Sequence, residues 1–295
     1  MLTELRTFIA VVELKNFTRA AERLSLSQPS VSLHIKNLED EFGTTLIQRG
    51  LKRKSIHITP AGEILYTTAK QISKLIENTK ADINSYAHEL DGTLHIGASF
   101  TIGEYFLPSI LGAFSSMYPK LKLQVSIENT EKICQKLANL QIDIGLIEGE
   151  PPTELFDSQI FYRDSLVLIT ALGNHLSKAD FDADSWQNQV WITRELGSAS
   201  RKQLDDFLNT NSLQASNLTL FSSNFAIKEA VKNNLGVALI SEYIANDAQK
   251  KKEISIVPMH QGYFRNFNYL LTRGMKPTRS AQAFIEHLKN TYPWI

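Results

Sequence analysis

Apolar residues in the first sixty positions recur at helical spacing in three short runs. Leu5, Phe8, Ile9 and Val12 give one helix an apolar face, and a second helix begins near Thr18, read as its N-cap. That second helix carries Ala20 and Ala21, small enough for a close crossing, and Leu24 to lock the pair. A third opens with Ser27 as N-cap and Pro29 in the first turn, where a missing N–H costs little, and repeats Val31, Ile35, Leu38 and Phe42 as a buried stripe. The stripe leaves Pro29, Ser32, Leu33 and Lys36 on the outer face, with Gln28 at its border. After Gly43, LIQRGLKRKSIHIT reads as two extended runs around a basic turn of Lys52, Arg53 and Lys54. The spacing predicts a helix-turn-helix over 17–42, an earlier helix completing its core, and a wing behind it.

From Pro60 onward Leu65, Ala69, Ile72, Ile76, Thr79, Ile83, Tyr86 and Leu90 fall on alternating steps of four and three, a heptad seam broken only by Thr79. A narrow seam can pack on its own domain, but one of this length more often meets an identical helix. Residues 60–90 are therefore expected to form a linker that pairs two copies of the chain.

Beyond Asp91 and Gly92 the period changes to alternating strands and helices. TLHIGAS, LKLQVSIEN and DIGLIEGE read as strands, separated by a helix within 103–118 and another through TEKICQKLANL. A second set begins at FYRDSLVLITAL and continues through QVWITREL, a helix in SRKQLDDFLNT, SNLTLFSS, a helix in NFAIKEAVKNN, and GVALISEY. FNYLLTRG returns to a strand and 277–290 form a last helix. Such alternation implies an α/β domain with a parallel sheet covered on both faces, in two lobes joined by two crossing strands. The expected organisation is 1–59 for the winged helix-turn-helix, 60–90 for the linker helix, and 91–295 for a two-lobed domain. Lobe I takes about 91–162 and 268–295, and lobe II about 163–267.

Composition adds a limited amount. The chain has 295 residues, 43% hydrophobic, and a formal net charge of zero. That zero hides an asymmetry: residues 1–60 hold nine Lys or Arg against six Asp or Glu, so about +3 there is balanced by about −3 elsewhere. A modest basic bias allows phosphate contacts that weaken with salt. No secretory leader pattern and no long apolar span is evident, so a cytoplasmic protein without membrane contact is expected. The single cysteine, Cys134, excludes a disulfide or a cysteine metal cluster within one chain and reads as a structural thiol. No cofactor or metal motif appears, and neither a nucleophile elbow, a phosphate-binding loop nor a paired-histidine zinc motif is present to support catalysis.

Two surfaces carry candidate chemistry. On the third helix, amides and hydroxyls suit base edges in a major groove, an aliphatic side chain a thymine methyl, and a lysine a phosphate. The DNA-facing candidates are Thr18, Arg19, Gln28, Pro29, Ser30, Ser32, Leu33, Lys36, Arg49, Lys52, Arg53 and Lys54. A generic helical subdomain with a solvated basic loop shows the same periodicity, so the pattern alone leaves both readings open. In the α/β part, ligands settle at the carboxyl ends of strands, where helix N-termini present free N–H groups. Three loops fit: Ser99, Phe100 and Thr101; Glu148 and Gly149; and Gly197, Ser198, Ala199, Ser200 and Arg201. Hydroxyls and an arginine at a helix N-terminus suit a compact oxyanion, although ordinary capping would also explain Ser198 or Ser200.

The order LRTFIAVVELKNFTRAAERLSLSQPSVSLHIKNLEDEFGTTLIQR, followed by ITPAGE, resembles the N-terminal domain of the LysR-type transcriptional regulators. Phe17, Ala20, Ala21, Leu24, Ser27, Gln28, Pro29, Ser30, Val31, Ser32, Leu38, Glu39, Gly43, Leu46, Arg49, Thr59, Ala61 and Gly62 stand at the expected places. Ile47 departs from the usual phenylalanine, and His34 from a longer polar residue. The resemblance implies a dimer or homotetramer on double-stranded DNA of approximate dyad symmetry, with an effector domain built like the solute-binding proteins. IGASFTIGEYFLP, DIGLIEGE, WITRELGSASR and AIKEAVKNNLGVALIS resemble members that govern sulfur metabolism in response to sulfite or related small sulfur anions. Carried over by position, Ser99, Thr101, Glu148, Ser198, Ser200, Arg201, Asn224 and Ser241 would line the effector pocket. An aromatic or organic acid effector stays an alternative, as does a binding protein without a regulatory role. Glu148 would repel a dianion unless it is protonated, turned away or paired with Arg201.

Overall fold

A computed structural model describes residues 1–49, 56–85, 90–151 and 154–292. The chain divides into two compact units, Met1–His88 and Glu89–Ile295.

In the first unit, α1 (Leu2–Leu14), α2 (Phe17–Leu24) and α3 (Gln28–Phe42) enclose one apolar core of Leu5, Phe8, Val11, Ala20, Ala21, Val31, Ile35 and Leu38. The N-cap of α2 is Asn16, not Thr18: its side chain accepts from the Arg19 N–H at 3.0 Å, so the helix starts one residue before the hydroxyl. Ser27 caps α3, accepting from the Ser30 N–H at 3.2 Å. Phe42 does not continue the buried stripe. It stands 48% exposed in the last turn, and Gly43, in the left-handed region with φ 60°, ends the helix behind it. The wing strands β1 (Ile47–Arg49) and β2 (Ile56–Ile58) pair antiparallel. The Glu39 carboxylate fastens the wing to α3 by accepting from the Leu46 and Ile47 N–H groups at 2.8 and 3.2 Å. The basic turn of Lys52, Arg53 and Lys54 lies outside the described residues.

Helix α4 (Pro60–Ser85) begins on this core, where Leu65 and Ala69 are buried and Tyr66 and Ile72 pack at the margin. Further along the seam the cover disappears: Thr79 is exposed and Ile83 is 67% exposed. Tyr86 lies outside the described residues.

The second unit is built on a seven-stranded sheet. Its strands are β3 (Gly92–Ala98), β4 (Leu121–Ile127), β5 (Ile144–Glu148), β6 (Phe156–Ala171), β9 (Ala238–Ser241), β10 (Ile254–Val257) and β11 (Tyr263–Thr272), while β7 (Val190–Thr193) and β8 (Asn217–Leu220) form a parallel pair. Around them lie α5 (Leu107–Met117), α6 (Thr130–Ala138), α7 (Ala199–Thr210), α8 (Asn224–Lys232), α9 (Glu242–Lys250) and α10 (Arg279–Thr291). The expected helix over 103–118 is two pieces, a π-helical turn Ile102–Phe106 followed by α5, with Pro108 near the start of the latter.

The sheet is mixed rather than parallel. β3 runs parallel to β4 and β5, but β11 is antiparallel to β5 and β6, and β6 is antiparallel to β9 and β10. The two long strands reverse direction because they carry the chain from one lobe to the other and back. β6 pairs with β11 over Phe156–Leu166 and with β9 and β10 over Leu166–Ala171. Their register shifts between Phe267 and Asn268, a bulge where the strands pass between lobes. One lobe is filled by Leu94, Ile96, Phe106, Phe114, Ile144, Phe267 and Phe284, the other by Trp186, Trp191, Leu204, Phe207 and Leu239, with a further group around Ile192, Ile227 and Ile244.

Candidate functional site

The outer face of α3 is arranged as its spacing requires. Gln28, Pro29, Leu33 and Lys36 are exposed, Ser30 and Ser32 are half-exposed, and Thr18 and Arg19 are exposed at the start of α2. Gln28 donates to the Ser32 hydroxyl at 3.0 Å, which holds both polar groups on one strip of the helix, and the Ser27 and Ser30 hydroxyls meet at 2.7 Å. His34 turns away from that strip toward α1, its Nδ1 meeting the Thr7 hydroxyl at 2.9 Å. It therefore contributes to the helix packing rather than to the exposed strip.

In the second unit the three loops anticipated from the sequence meet at the boundary between lobes. Glu148 ends β5 on lobe I with only 3% exposure, and four donors converge on its carboxylate. The Ser99 hydroxyl and the Thr101 N–H each reach Oε1 at 2.9 Å. Arg265 Nη1 donates to Oε2 at 2.5 Å, and the Ser200 hydroxyl, from lobe II, at 3.3 Å. Glu148 is thus paired with Arg265 and not with Arg201. Arg201 lies one helical turn from Asp205 and its Nε donates to both oxygens of that carboxylate, at 2.9 and 3.0 Å.

Arg265 is the centre of the network. It is 4% exposed, stands on the crossing strand β11, and its Nε donates to Asp164 on the other crossing strand at 2.9 Å. Nη1 also donates to the Ser200 hydroxyl at 3.0 Å and Nη2 to the Thr101 hydroxyl at 3.2 Å. Asn224, opening α8, donates to the same Thr101 oxygen at 2.9 Å, and Ser241, ending β9, donates to Asp164 at 2.7 Å. All eight candidate positions carried over from the resemblance therefore lie in or beside one interlobe cluster, although the Arg201 side chain is held by Asp205 and not by the cluster. Burial pushes the Asp164 carboxyl up, because one guanidinium has to serve two carboxylates and offsets the desolvation incompletely.

The mouth of the cleft is a cavity of about 450 Å³. Thr130 and Gly149 of lobe I face Gly197, Ser198 and Ala199 of lobe II, with Glu148 at the floor and Arg201 and Lys202 on a wall. Ser198 occupies the N-cap position of α7 without a side-chain cap bond, and Ser200 gives its hydroxyl to Glu148, so capping explains neither serine. The lobes approach closely here: the Glu131 N–H donates to the Gly197 carbonyl at 3.2 Å, and Asn129 donates to Glu195 at the same distance. Gly197 (φ 82°) permits this, since a Cβ there would lie 2.5 Å from a Glu131 carboxylate oxygen. Phe100 is covered by the Arg194 guanidinium, 4.1 Å from its ring centre, and Arg194 in turn grips Glu195 through two hydrogen bonds of 2.9 Å.

Sequence reasoning did not single out Arg265, Asp164 or Arg194. A signal existed for Asp164, a charge inside a run that otherwise reads as buried strand, where a charge requires a partner; Arg265 precedes the apolar run FNYLLTRG and carried no such signal.

Residues 2–63 match the family model of the bacterial regulatory helix-turn-helix proteins of the lysR family, and residues 87–293 that of the LysR substrate binding domain. The chain belongs to the LysR family of transcriptional regulators. It is 42% identical over 290 residues to the HTH-type transcriptional regulator CysL of Bacillus subtilis (strain 168), covering 98% of this chain and 96% of that protein. It is 34% identical to a probable RuBisCO transcriptional regulator of Porphyra purpurea, with 87% and 81% covered. A full-length OxyR variant from Pseudomonas aeruginosa shares the fold, with a TM-score of 0.75 at 21% identity over 98% of this chain and 94% of that one. This LysR-family chain is a DNA-binding regulator with an effector-binding domain, and the enzyme reading is set aside because the family and these relatives regulate transcription. Among the described residues no helix is long and apolar enough to cross a membrane.

Proposed function

We propose that this regulator works in the cytoplasm as a dimer or tetramer, reads DNA of approximate dyad symmetry through Gln28, Ser32, Leu33 and Lys36, and responds to a small anionic metabolite bound between the lobes of residues 91–295. The observation that carries the effector reading is the convergence of Ser99, Thr101, Glu148, Ser198, Ser200 and Asn224, from both lobes, on one cleft. A ligand seated there touches both lobes at once, so its affinity depends on their closure, and that dependence is what makes it a switch. The sulfur-regulator motifs of the sequence and the similarity to CysL favour a sulfur-containing effector, sulfite among them. Thermal unfolding of the purified protein with sulfite, sulfate, thiosulfate, acetylated serine and aromatic acids tests this. A rise of several degrees in Tm with a sulfur compound is expected. No shift with any of them removes the sulfur assignment and leaves DNA recognition untouched.

DNA recognition has a separate test. Replacing Gln28 and Ser32 together by alanine is expected to abolish preference for a specific duplex while non-specific binding persists, read by competition binding at fixed salt. Equal preference before and after would reduce α3 to a packing element.

A further inference from the structure

The interlobe cleft has few positive charges to offer an anion. Among the described residues lining its mouth, the carboxylates are Glu148, Glu150, Asp205 and Asp206, against Arg201 and Lys202. Arg201 is already held by Asp205. The guanidinium beneath the floor, Arg265, is shared between Glu148 and Asp164. A fully ionised oxyanion entering this space finds no uncommitted guanidinium, and it finds a carboxylate at the floor.

That carboxylate is filled. Its two oxygens together offer about four lone-pair positions, and four donors occupy them. Three are short and come from lobe I or the crossing strand β11. The fourth, the Ser200 hydroxyl of lobe II, is 3.3 Å away, beyond the usual range for an O–H donor. Ser200 stands in the first turn of α7, beside Ala199 and Arg201, and the cavity reaches both Glu148 and Ala199. Glu148 lines the cavity, and a group that takes the exchangeable position on its carboxylate has to bring a proton.

We infer that Glu148 is a specificity-determining residue that admits only effectors carrying, next to their anionic group, an N–H or O–H donor able to replace Ser200 on its carboxylate. The inference rests on the cleft being the effector site. The donor, an ammonium or a hydroxyl, faces Glu148 Oε2. The anionic group meets the N–H groups of the first turn of α7, where the helix dipole favours negative charge and the released Ser200 hydroxyl adds a donor. A tetrahedral dianion without a proton, sulfate being the simplest, is refused because it sets oxygen against oxygen at the floor.

Two pairs of probes separate the sources of the donor. Sulfate and hydrogen phosphate share a shape and differ by one O–H, while propanoate and L-alanine differ by one ammonium group. Titration calorimetry and thermal unfolding of the full-length protein near neutral pH are expected to show hydrogen phosphate bound at least about tenfold more tightly than sulfate, or L-alanine at least about tenfold more tightly than propanoate, the factor associated with one hydrogen bond to a charged group. Whichever pair discriminates identifies the donor. In E148Q, whose amide both donates and accepts, that discrimination is expected to fall below about threefold. S200A, which removes only the exchangeable donor, is expected to keep it, so the inference stays testable if E148Q does not fold. Sulfate and propanoate binding as tightly as their partners in the wild type overturns the inference and leaves the cleft as the effector site. Binding of none of the four overturns the small-anion reading of the cleft and the inference with it.

Discussion

Arg265 gives one positive charge to two buried carboxylates on different elements, Glu148 at the end of β5 and Asp164 on β6. Both partners lie within 3% of full burial, so the shortfall is borne inside the protein, where water screens little. At Asp164 burial raises the carboxyl above the ordinary range, and Glu148 adds to the effect against Arg265 and Ser241. The consequence for stability has a definite sign. A carboxyl whose folded pKa exceeds its unfolded value binds its proton more tightly in the folded state. Folding therefore gains relative stability as pH falls through the window between the two, and loses it as pH rises. Asp164→Asn removes this titration while keeping the shape. The unfolding temperature of the wild type, measured relative to that of D164N, is expected to rise as pH is lowered from neutral toward 4. A constant difference across that range would show that Asp164 does not titrate there.

At the scale of elements, the joint between wing and linker helix is set by one glycine. The Thr59 hydroxyl donates to the Thr45 carbonyl at 2.8 Å and accepts from the Gly62 N–H at 3.0 Å, which fixes the start of α4 against the segment leading into β1. A Cβ on Gly62 would lie 2.3 Å from the Leu46 carbonyl oxygen and 2.6 Å from Ile58. The first of these is backbone and cannot swing away. Gly62→Ala is expected to lose about 1–3 kcal/mol, read as a lower midpoint in urea at unchanged slope. The same element shows how much a sequence discloses. ITPAGE marks a helix start, but the reason for glycine there is a contact with Leu46, sixteen residues earlier, which no local pattern contains. The helices of the first unit were legible because each buries one stripe on its neighbours, and the error at Phe42 arose where the stripe outran them. The apolar run FNYLLTRG predicts a strand from 267, whereas β11 begins at Tyr263, since the polar residues Arg265 and Asn266 interrupt its apolar run. That late start hid Arg265, whose burial is intelligible only once Glu148 and Asp164 are beside it. Helix α9 leaves little trace in the hydrophobic pattern because its buried residues, Ile244, Ala245 and Ala248, are mostly small and continue directly from β9.

For the whole molecule, the seam of α4 changes character along its length. Leu65 and Ala69 are covered by the first unit's own core, whereas Ile83, on the same seam, is 67% exposed within one chain, and Leu75 beside it is also exposed. A second copy of the helix is the occupant argued for above, since heptad spacing continues past the point where the chain's own core ends. A charge at Ile83 would stand in that interface without altering the winged domain. Ile83→Asp is expected to lower the molar mass in solution by half or more at micromolar concentration, measured by light scattering, while the circular dichroism of the protein stays that of the wild type. DNA affinity should fall with it. The first sixty residues carry a net charge of only about +3, so one copy neutralises few phosphates and binds weakly at physiological salt. Two copies held by one linker turn the second contact into an intramolecular one, and affinity then reflects the product of two weak half-sites. If I83D kept both its mass and its affinity for a dyad-symmetric duplex, the seam would be a surface of the monomer, and the strength of binding would have to come from the winged domain alone.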